Sequence, residues 1–368
     1  MYIHQNSEWP KFIWDDRLLL NSLSEVRNLQ GKLIGRMEVL GFSLKEEALL
    51  ETLTTDVVKS SKIEGENLEE KQVRSSIARK LGMDIAGLIP SDRNVEGVVE
   101  MMLDATQQCG KPLTKERICN WHAALFPTGR SGMYKIIVGE WRKDETGPMQ
   151  VVSGPMGKEK VHFEAPSADL LENEMKNFIN WFNENNAIEP VIKAGIAHLW
   201  FVTIHPFDDG NGRIARAIAD MQLAKADKTN QRFYSMSAQI EAEKKVYYDT
   251  LEKTQRGSLD ITNWLKWFLE CLKQALESTE VLLEKVLAKA KFWEKHAKTI
   301  ISERQQIMIN HLLDDFYGKL TTSKWAKMTK CSQDTALRDI QDLVDKGILI
   351  KESGGGRSTS YAINPNLD

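Results

Sequence analysis

The sequence predicts a mainly α-helical protein with one small β-hairpin set into it and a tail of different pattern. Three observations carry this. Apolar residues recur at helical spacing from residue 15 to about 276, strand-like text is confined to residues 134–166, and residues 301–368 mix short helices with two strand-like pieces.

A chain of 368 residues exceeds one ordinary core, so several domains are expected. The pattern divides into a helical region at 1–90, a core at 91–275, a linking helix at 276–300 and the tail at 301–368. Hydrophobic residues at 42% and charged residues at 27% suit a globular chain rather than a disordered one. A net charge of -3 excludes a global basic field of the kind that draws nucleic acid or an anionic membrane. The opening MYIHQNSEWPKFIW lacks the basic start and long apolar core of a secretory leader, and Lys, Glu or Asp breaks every apolar run. No membrane partner is therefore expected. Cys109, Cys119, Cys271 and Cys331 form no CxxC pair; they read as packing residues in a reducing, cytoplasmic setting.

In chain order, Leu18, Leu19, Val26, Leu29, Leu33, Met37 and Leu40 mark a first helix, with Gly41 as its stop. A second runs from Ser43 through Val58, with Gly65 as the C-terminal residue, and a third from about Leu68 to Lys80. YKIIVGEWR (134–142) and MQVVSGPMGKEKVHFEAP (149–166) then read as a β-hairpin around a Gly/Pro/Lys turn. Helices follow at Ala168–Asn185 and Val191–Thr203; the second is apolar on nearly every face and should be the buried central helix. From Ile261 to about Thr299 no Gly or Pro interrupts a helical pattern that fits one helix or two. The tail offers helices at Ser302–Leu313, Ser323–Thr329 and Ser332–Asp345, then strand-like pieces around Gly354, Gly355 and Gly356. That is the pattern of a winged helix-turn-helix.

The stretch that carries chemistry is His205-Pro-Phe-Asp-Asp-Gly-Asn-Gly-Arg-Ile-Ala-Arg216. A helix should restart near Asn211 or Gly212, and Gly210 and Gly212 leave backbone N–H groups able to face an anion closely. Arg213 and Arg216, three apart, project to one side, which suits a polyphosphate better than a single carboxylate. Asp208 and Asp209 add hard oxygen ligands for Mg²⁺, and His205 stands at the loop entrance to take a proton.

HPFDDGNGRIAR resembles the Fic family motif HPFx[D/E]GNGRxxR and matches it at every specified position. GEWR (139–142), VHFEAP (161–166), AHLWFVTIHPF (197–207) and YYDTLEKTQRGSLDITNWLKWFL (247–269) are similar to Fic-domain text, so the resemblance spans residues 9 to about 270. It implies a Fic-type helical bundle with an inserted β-hairpin flap, a helical N-terminal extension and a separate winged tail. It also implies AMP transfer from Mg²⁺·ATP to a Ser, Thr or Tyr hydroxyl of a protein, which could be the chain itself. His205 would deprotonate that hydroxyl and Asp209 would hold Mg²⁺. Gly210, Asn211 and Gly212 would cradle the phosphates, Arg213 and Arg216 would take the β- and γ-phosphates, and Tyr247, Tyr248 and Gln255 would lie beside the adenine. The flap would pair with an extended target segment. Asp208 fills the unspecified position and receives no catalytic role; His162 reads as a surface residue and His198 as a core one.

Ser60-Ser-Lys-Ile-Glu64-Gly65 matches the inhibitory motif [S/T]xxxE[G/N] of the same family. Independently of that likeness, a carboxylate just before a helix-stopping glycine sits at the negative end of the helix dipole and calls for a cation. The resemblance names Arg216 as that cation, so Glu64 would block the γ-phosphate place. Alternatives stand beside this reading: removal of AMP or use of another nucleotide at the same site, a DNA-binding regulator with a nucleotide-sensing domain, or a metal-dependent hydrolase using His205, Asp208 and Asp209. DNA is weakly supported, because the recognition-position helix sets Arg338 and Lys346 against Asp334, Asp339, Asp342 and Asp345. The tail suits protein contacts or a homodimer equally well.

Overall fold

In the computed structural model, several helices begin where the sequence supplies a capping side chain; every residue is described except 40–41, 84–86, 146, 155–157, 159, 230, 314–315, 317, 353–358 and 366–368. Asp15 caps α1 (Asp16–Glu38), Asp92 caps α4 (Arg93–Gln107) and Thr114 caps α5 (Lys115–Leu125). Between them lie α2 (Phe42–Ile63) and α3 (Glu70–Lys80). Two small antiparallel pairs follow: β1 (Arg130–Ser131) with β2 (Tyr134–Lys135), and β3 (Gln150–Ser153) with β4 (Lys160–Glu164). Then come α6 (Leu171–Asn183) and α7 (Pro190–Ile204), the latter opened by Pro190 and by Glu189, which accepts from two backbone N–H groups. They lead to α8 (Asn211–Asp227), α9 (Met236–Ala242), α10 (Lys244–Gln255) and α11 (Thr262–Lys295).

The chain forms two units, Met1–Glu280 and Val281–Asp368. In the first, α7 is buried at every position from Val191 to Ile204, as a helix apolar on nearly every face requires. Helix α8 packs along α7, and α4 crosses α8. The missing side chain of Gly195 lets Leu265 and Phe268 of α11 close on α7; a Cβ there would lie 3.0–3.2 Å from them. Trp264 donates to the Gly195 carbonyl at 2.8 Å in the same contact. Helix α2 is anchored by its polar residues. Asp56 accepts from Ser235 (2.5 Å), and Lys59 and Lys62 reach Glu241 of α9 at 3.3 and 2.7 Å.

The boundary expected near residue 90 does not separate compact units. Helix α2 packs on α8 and α9, Trp9 and Phe12 meet Trp200 edge-on, and Tyr2 and His4 meet Phe163 of β4. The N-terminal helices therefore share the core of the residues after 90.

Other expectations shift for local reasons. The first helix stops at Glu38, and Leu18 is exposed while Leu19 is buried; Leu40 and the stop at Gly41 lie outside the described residues. Helix α2 runs past Val58 to Ile63 because its turn-off is set by Gly65. Of YKIIVGEWR only Tyr134 and Lys135 are strand. The rest is a loop whose polar groups bind His122 of α5 and the loop around residues 205–209 instead of a neighbouring strand. Ile261–Thr299 is one helix, α11, ending at Lys295.

The second unit follows the predicted order: α12 (Glu303–Leu313), α13 (Thr322–Met328), α14 (Gln333–Asp345), then antiparallel β5 (Leu349–Lys351) and β6 (Tyr361–Ile363). Met308, Trp325, Ile340, Leu343 and Ile348 form its core. Gly354, Gly355 and Gly356 lie outside the described residues. Among the described residues no helix is long and apolar enough to cross a membrane.

Helices α4 and α5 cross so closely at Gly97 that a Cβ there would lie 1.8 Å from the Ala124 carbonyl oxygen. Gly97→Ala should therefore cost about 1–3 kcal/mol or more. Gly31→Ala, in α1 with nothing within 4 Å, should instead gain about 0.5–1 kcal/mol. Urea unfolding followed by tryptophan fluorescence measures both, and the prediction fails if the two changes have the same sign.

Candidate active site

Helix α7 ends at His205, whose backbone is left-handed (φ 52°, ψ 57°). That state costs a non-glycine residue about 1–2 kcal/mol, so the surroundings must hold it. Arg142 does so. Its side chain is fully buried; Nε donates to the His205 carbonyl (2.8 Å), Nη2 to the Pro166 carbonyl and Nη1 to Asp144 (both 2.5 Å), and its backbone N–H to the Pro206 carbonyl (2.9 Å). His205 Nδ1 lies 3.2 Å from the Val202 carbonyl, which takes the Nδ1 proton and makes Nε2 the basic nitrogen. Burial lowers the His205 pKa to about 4, against the opposing pull of the Val202 carbonyl. The ring is a neutral base at pH 7.

The loop after His205 is held from several sides. Phe207 stacks on His122 of α5 at 4.0 Å, and Asn211 accepts from the Phe207 N–H (3.0 Å) while donating to its carbonyl (2.8 Å). The buried Asn211 amide therefore braces the loop from within. Asp208 accepts from the Ile137 N–H at 2.8 Å. Gly139 donates to His122 Nδ1 (3.1 Å), which leaves the Nε2 proton for the Asp209 carbonyl (3.2 Å). The Asp209 carboxylate accepts from the Gly210 N–H (2.5 Å) and from the Ser131 hydroxyl. Gly210 has φ +81°, and a Cβ there would lie 2.8 Å from the Phe126 ring.

Helix α2 ends over the start of α8. Glu66 N–H donates to the Ser61 carbonyl and Gly65 N–H to the Lys62 carbonyl, with Gly65 at φ +86°, the Schellman pattern. This turn aims two carboxylates at two arginines. Glu64 Oε1 is 2.8 Å from Arg216 Nη2, and the Ser60 hydroxyl and carbonyl accept from Arg216 Nε and Nη2, each at 2.9 Å. Glu66 Oε2 is 2.6 Å from Arg213 Nη1. Burial works against the Arg216 charge, but Glu64, by charge and hydrogen bond, together with Tyr247 and Tyr248 holds the guanidinium above its ordinary value. Burial raises the Glu66 carboxyl, with Arg213 pulling the other way. A Cβ on Gly212 would lie 2.2 Å from Glu64 Oε1, so that carboxylate sits against the first turn of α8, where backbone N–H groups favour an anion. Arg213 Nε and Arg216 Nη1 are buried without a hydrogen-bond partner, donors left for a further anion.

His205, Asp209, Gly212 and Glu64 line a cavity of about 810 Å³, a size suited to a cofactor-sized ligand. Tyr247, Tyr248 and Gln255 of α10 line it as well. Tyr247 is buried with its hydroxyl 3.0 Å from His198 Nε2, and Gln255 donates to the Thr203 hydroxyl at 3.2 Å; Tyr248 is the more exposed of the pair. His198 is a core residue. His162 is not a free surface residue: it is half-buried in the cavity wall between Ser153 and Glu252. A second cleft of about 790 Å³ lies around Arg117 and Asp104, where the arginine is fully engaged by Asp104 and by backbone carbonyls.

A lone Asp209 is a sufficient protein ligand for a Mg²⁺ that takes its other oxygens from substrate phosphates and water. Among the described residues no three His, Cys, Asp or Glu side chains converge as a metal cage. Sequence reasoning missed Glu66, His122, Ser131 and the role of Arg142. Only Glu66 had a legible signal, as the second carboxylate of Glu-Gly-Glu around a turn glycine.

Residues 112–223 match the model of the Fic/DOC family, and residues 2–83 match a domain of unknown function, DUF4172. The chain is 28% identical over 96 residues to protein adenylyltransferase fic-1 of Caenorhabditis elegans, covering 26% of this chain and 18% of that protein. It is 33% identical over 99 residues to the probable protein adenylyltransferase aq_aa38 of Aquifex aeolicus, covering 26% and 31%. The matches thus span less than a third of either relative. The fold is similar to the crystal structure of a Fic family protein from Desulfovibrio desulfuricans, with a TM-score of 0.53 at 18% identity over 95% of this chain and 96% of that one. The motif around His205 lies within the segment that matches the Fic/DOC family, residues 112–223, and the fold is similar to that of a Fic family protein.

Proposed function

We propose that this chain transfers AMP from ATP, with Mg²⁺, to a Ser, Thr or Tyr hydroxyl of a protein, and that Glu64 and Glu66 restrain it. The observation that carries the reading is the convergence of a neutral histidine base and the first turn of α8 on one cavity, on a helix that also carries two buried arginines with spare donors. Relatives matched over 96 and 99 residues bear the name protein adenylyltransferase.

In this reading His205 Nε2 accepts the proton of the incoming hydroxyl as its oxygen attacks the α-phosphate. The imidazolium formed is held by the Val202 carbonyl at Nδ1. Arg213 and Arg216 hold the β- and γ-phosphates, and the first turn of α8 at Gly212 faces the anion. Asp209 holds Mg²⁺, whose charge offsets that of the departing pyrophosphate. An extended target segment adds to the outer edge of β3, so backbone rather than side-chain identity aligns the hydroxyl. The tail supports protein contacts better than DNA: on α14, Asp339 is paired with Arg304 and Asp342 with Lys346.

Glu64 and Glu66 occupy the two arginines that the triphosphate needs. Glu64→Gly should raise AMP transfer at least tenfold, because a well-desolvated charge pair couples by about 1.5–7 kcal/mol. Adding Glu66→Gln should raise it further by no more than about fivefold, since that carboxylate is 43% exposed and such pairs couple by about 0–1 kcal/mol. Intact-mass measurement of AMP addition orders the three proteins; equal transfer by wild type and Glu64→Gly sinks the brake.

His205→Ala should lower the rate by about 10²–10⁴ while ATP binding, read by calorimetry, persists. Transfer at the wild-type rate would remove His205 as the base. The pH dependence adds a separate check. A general base works deprotonated, so lowering its pKa carries activity to more acid pH. The acid limb of kcat/KM in Glu64→Gly should fall near pH 4; a limb near 6.5 would mean a solvated imidazole.

A further inference from the structure

Asp209, the ligand proposed for Mg²⁺, is held at both ends by residues that lie outside the His205–Arg216 segment. Its main-chain carbonyl faces His122 Nε2 at 3.2 Å, and the same ring accepts the Gly139 N–H at Nδ1 (3.1 Å). Its carboxylate receives two donors, the Gly210 N–H on Oδ1 (2.5 Å) and the Ser131 hydroxyl on Oδ2. His122 belongs to α5, and Ser131 to β1 just after it. One stretch, the end of α5 and the turn that follows, therefore fixes where Asp209 stands and which way its carboxylate points.

Ser131 is itself firmly placed. It pairs with Tyr134 across a tight turn in which Gly132 has φ +53°. Gly129 N–H donates to the Phe126 carbonyl (3.0 Å) and Ile136 N–H to the Gly129 carbonyl (3.1 Å), so this small hairpin is tied to the end of α5. Two residues beyond β2, Ile137 gives its N–H to the Asp208 carboxylate at 2.8 Å. The neighbouring aspartates are thus engaged differently, Asp208 by a main-chain N–H and Asp209 by a half-buried hydroxyl. A hydroxyl turns about its own bond, and each carboxylate oxygen has two lone pairs. Asp209 can therefore ligate a metal while keeping the Ser131 hydrogen bond. A carboxylate oriented before the metal arrives loses less freedom on binding it, and such orienting partners typically contribute about 10–100-fold to metal affinity.

We propose that Ser131 is a positioning residue for the metal: by holding the Asp209 carboxylate it sets the affinity of the nucleotide-bound site for Mg²⁺. His122 sets the main chain from which that carboxylate projects. This rests on reading Asp209 as the Mg²⁺ ligand of AMP transfer. Ser131 acts through Asp209 and touches neither the nucleotide nor the reacting atoms.

The test uses the full chain carrying Glu64→Gly, with Mn²⁺ as the metal and α,β-methylene-ATP, whose α–β bridge AMP transfer cannot break, as the nucleotide. Electron paramagnetic resonance of free Mn²⁺ gives the metal affinity, and calorimetry with EDTA present gives that of the nucleotide alone. Ser131→Ala should weaken Mn²⁺ binding about tenfold or more and leave metal-free nucleotide binding within about twofold. Ser131→Thr, which keeps the hydroxyl, should restore the metal affinity, and Asp209→Asn should abolish it. Unchanged Mn²⁺ affinity in Ser131→Ala, with Asp209→Asn losing it, overturns the proposal and leaves the metal assignment standing. Equal losses of Mn²⁺ and metal-free nucleotide binding also overturn it, because they report a collapsed loop rather than a turned carboxylate. No recovery in Ser131→Thr counts against it in the same way. Mn²⁺ binding that is indifferent to Asp209→Asn, or absent from the Glu64→Gly parent, overturns the metal reading together with the proposal.

Discussion

Arg216 carries its charge at every pH the chain meets, yet only 2% of its side chain reaches solvent. A cation so placed costs several kcal/mol unless a counter-charge and acceptors surround it. Ser60 and Glu64 supply both, and much of the local architecture follows. Helix α2 has to lie across the start of α8, Gly65 has to turn the chain left-handed, and Gly212 has no room for a side chain. Replacing Glu64 leaves a buried guanidinium whose natural substitute partner is a phosphate. The same contact that completes the folded chain thus competes with a triphosphate for one arginine.

Glu66 widens this competition. Because a Schellman turn spaces Glu64 and Glu66 around Gly65, one short segment reaches Arg216 and Arg213 together. The two contacts differ in worth. Glu64 presses against the first turn of α8, whereas Glu66 is 43% exposed and correspondingly screened. Lys59 and Lys62, bound to Glu241, and Asp56, bound to Ser235, tie α2 down away from the site. Its position does not depend on the two glutamates alone.

His205 is governed by burial. A histidine in a left-handed residue at the end of an apolar helix is desolvated, and desolvation favours the neutral ring that a base requires. Arg142 carries the local strain by gripping the carbonyls on both sides of the turn. The loop that bears Arg142 reads as strand because Ile136, Ile137 and Val138 are β-formers. Its N–H groups pair instead with Asp208 and His122. Local preference specified an extended chain there, and tertiary contact specified what it extends along.

By itself the sequence determined whatever depends on short spacing: the buried α7 from a sequence apolar on nearly every face, Arg213 and Arg216 on one face of α8, the glycines that open its N-terminus, and Glu64 before a turn glycine. Those features are legible because helix pitch and turn geometry fix them within a few residues. Only the tertiary structure decided that Glu66 meets Arg213 across 147 positions, that Arg142 grips the His205 carbonyl across 63, and that Glu252 stands behind His162 across 90. It also decided that the Asn211 amide is spent on Phe207, four residues away, because burial rather than spacing selects its partner. No periodicity links such residues. They meet because α2, α10 and the hairpin pack around α7 and α8 and bring buried charges and polar groups together.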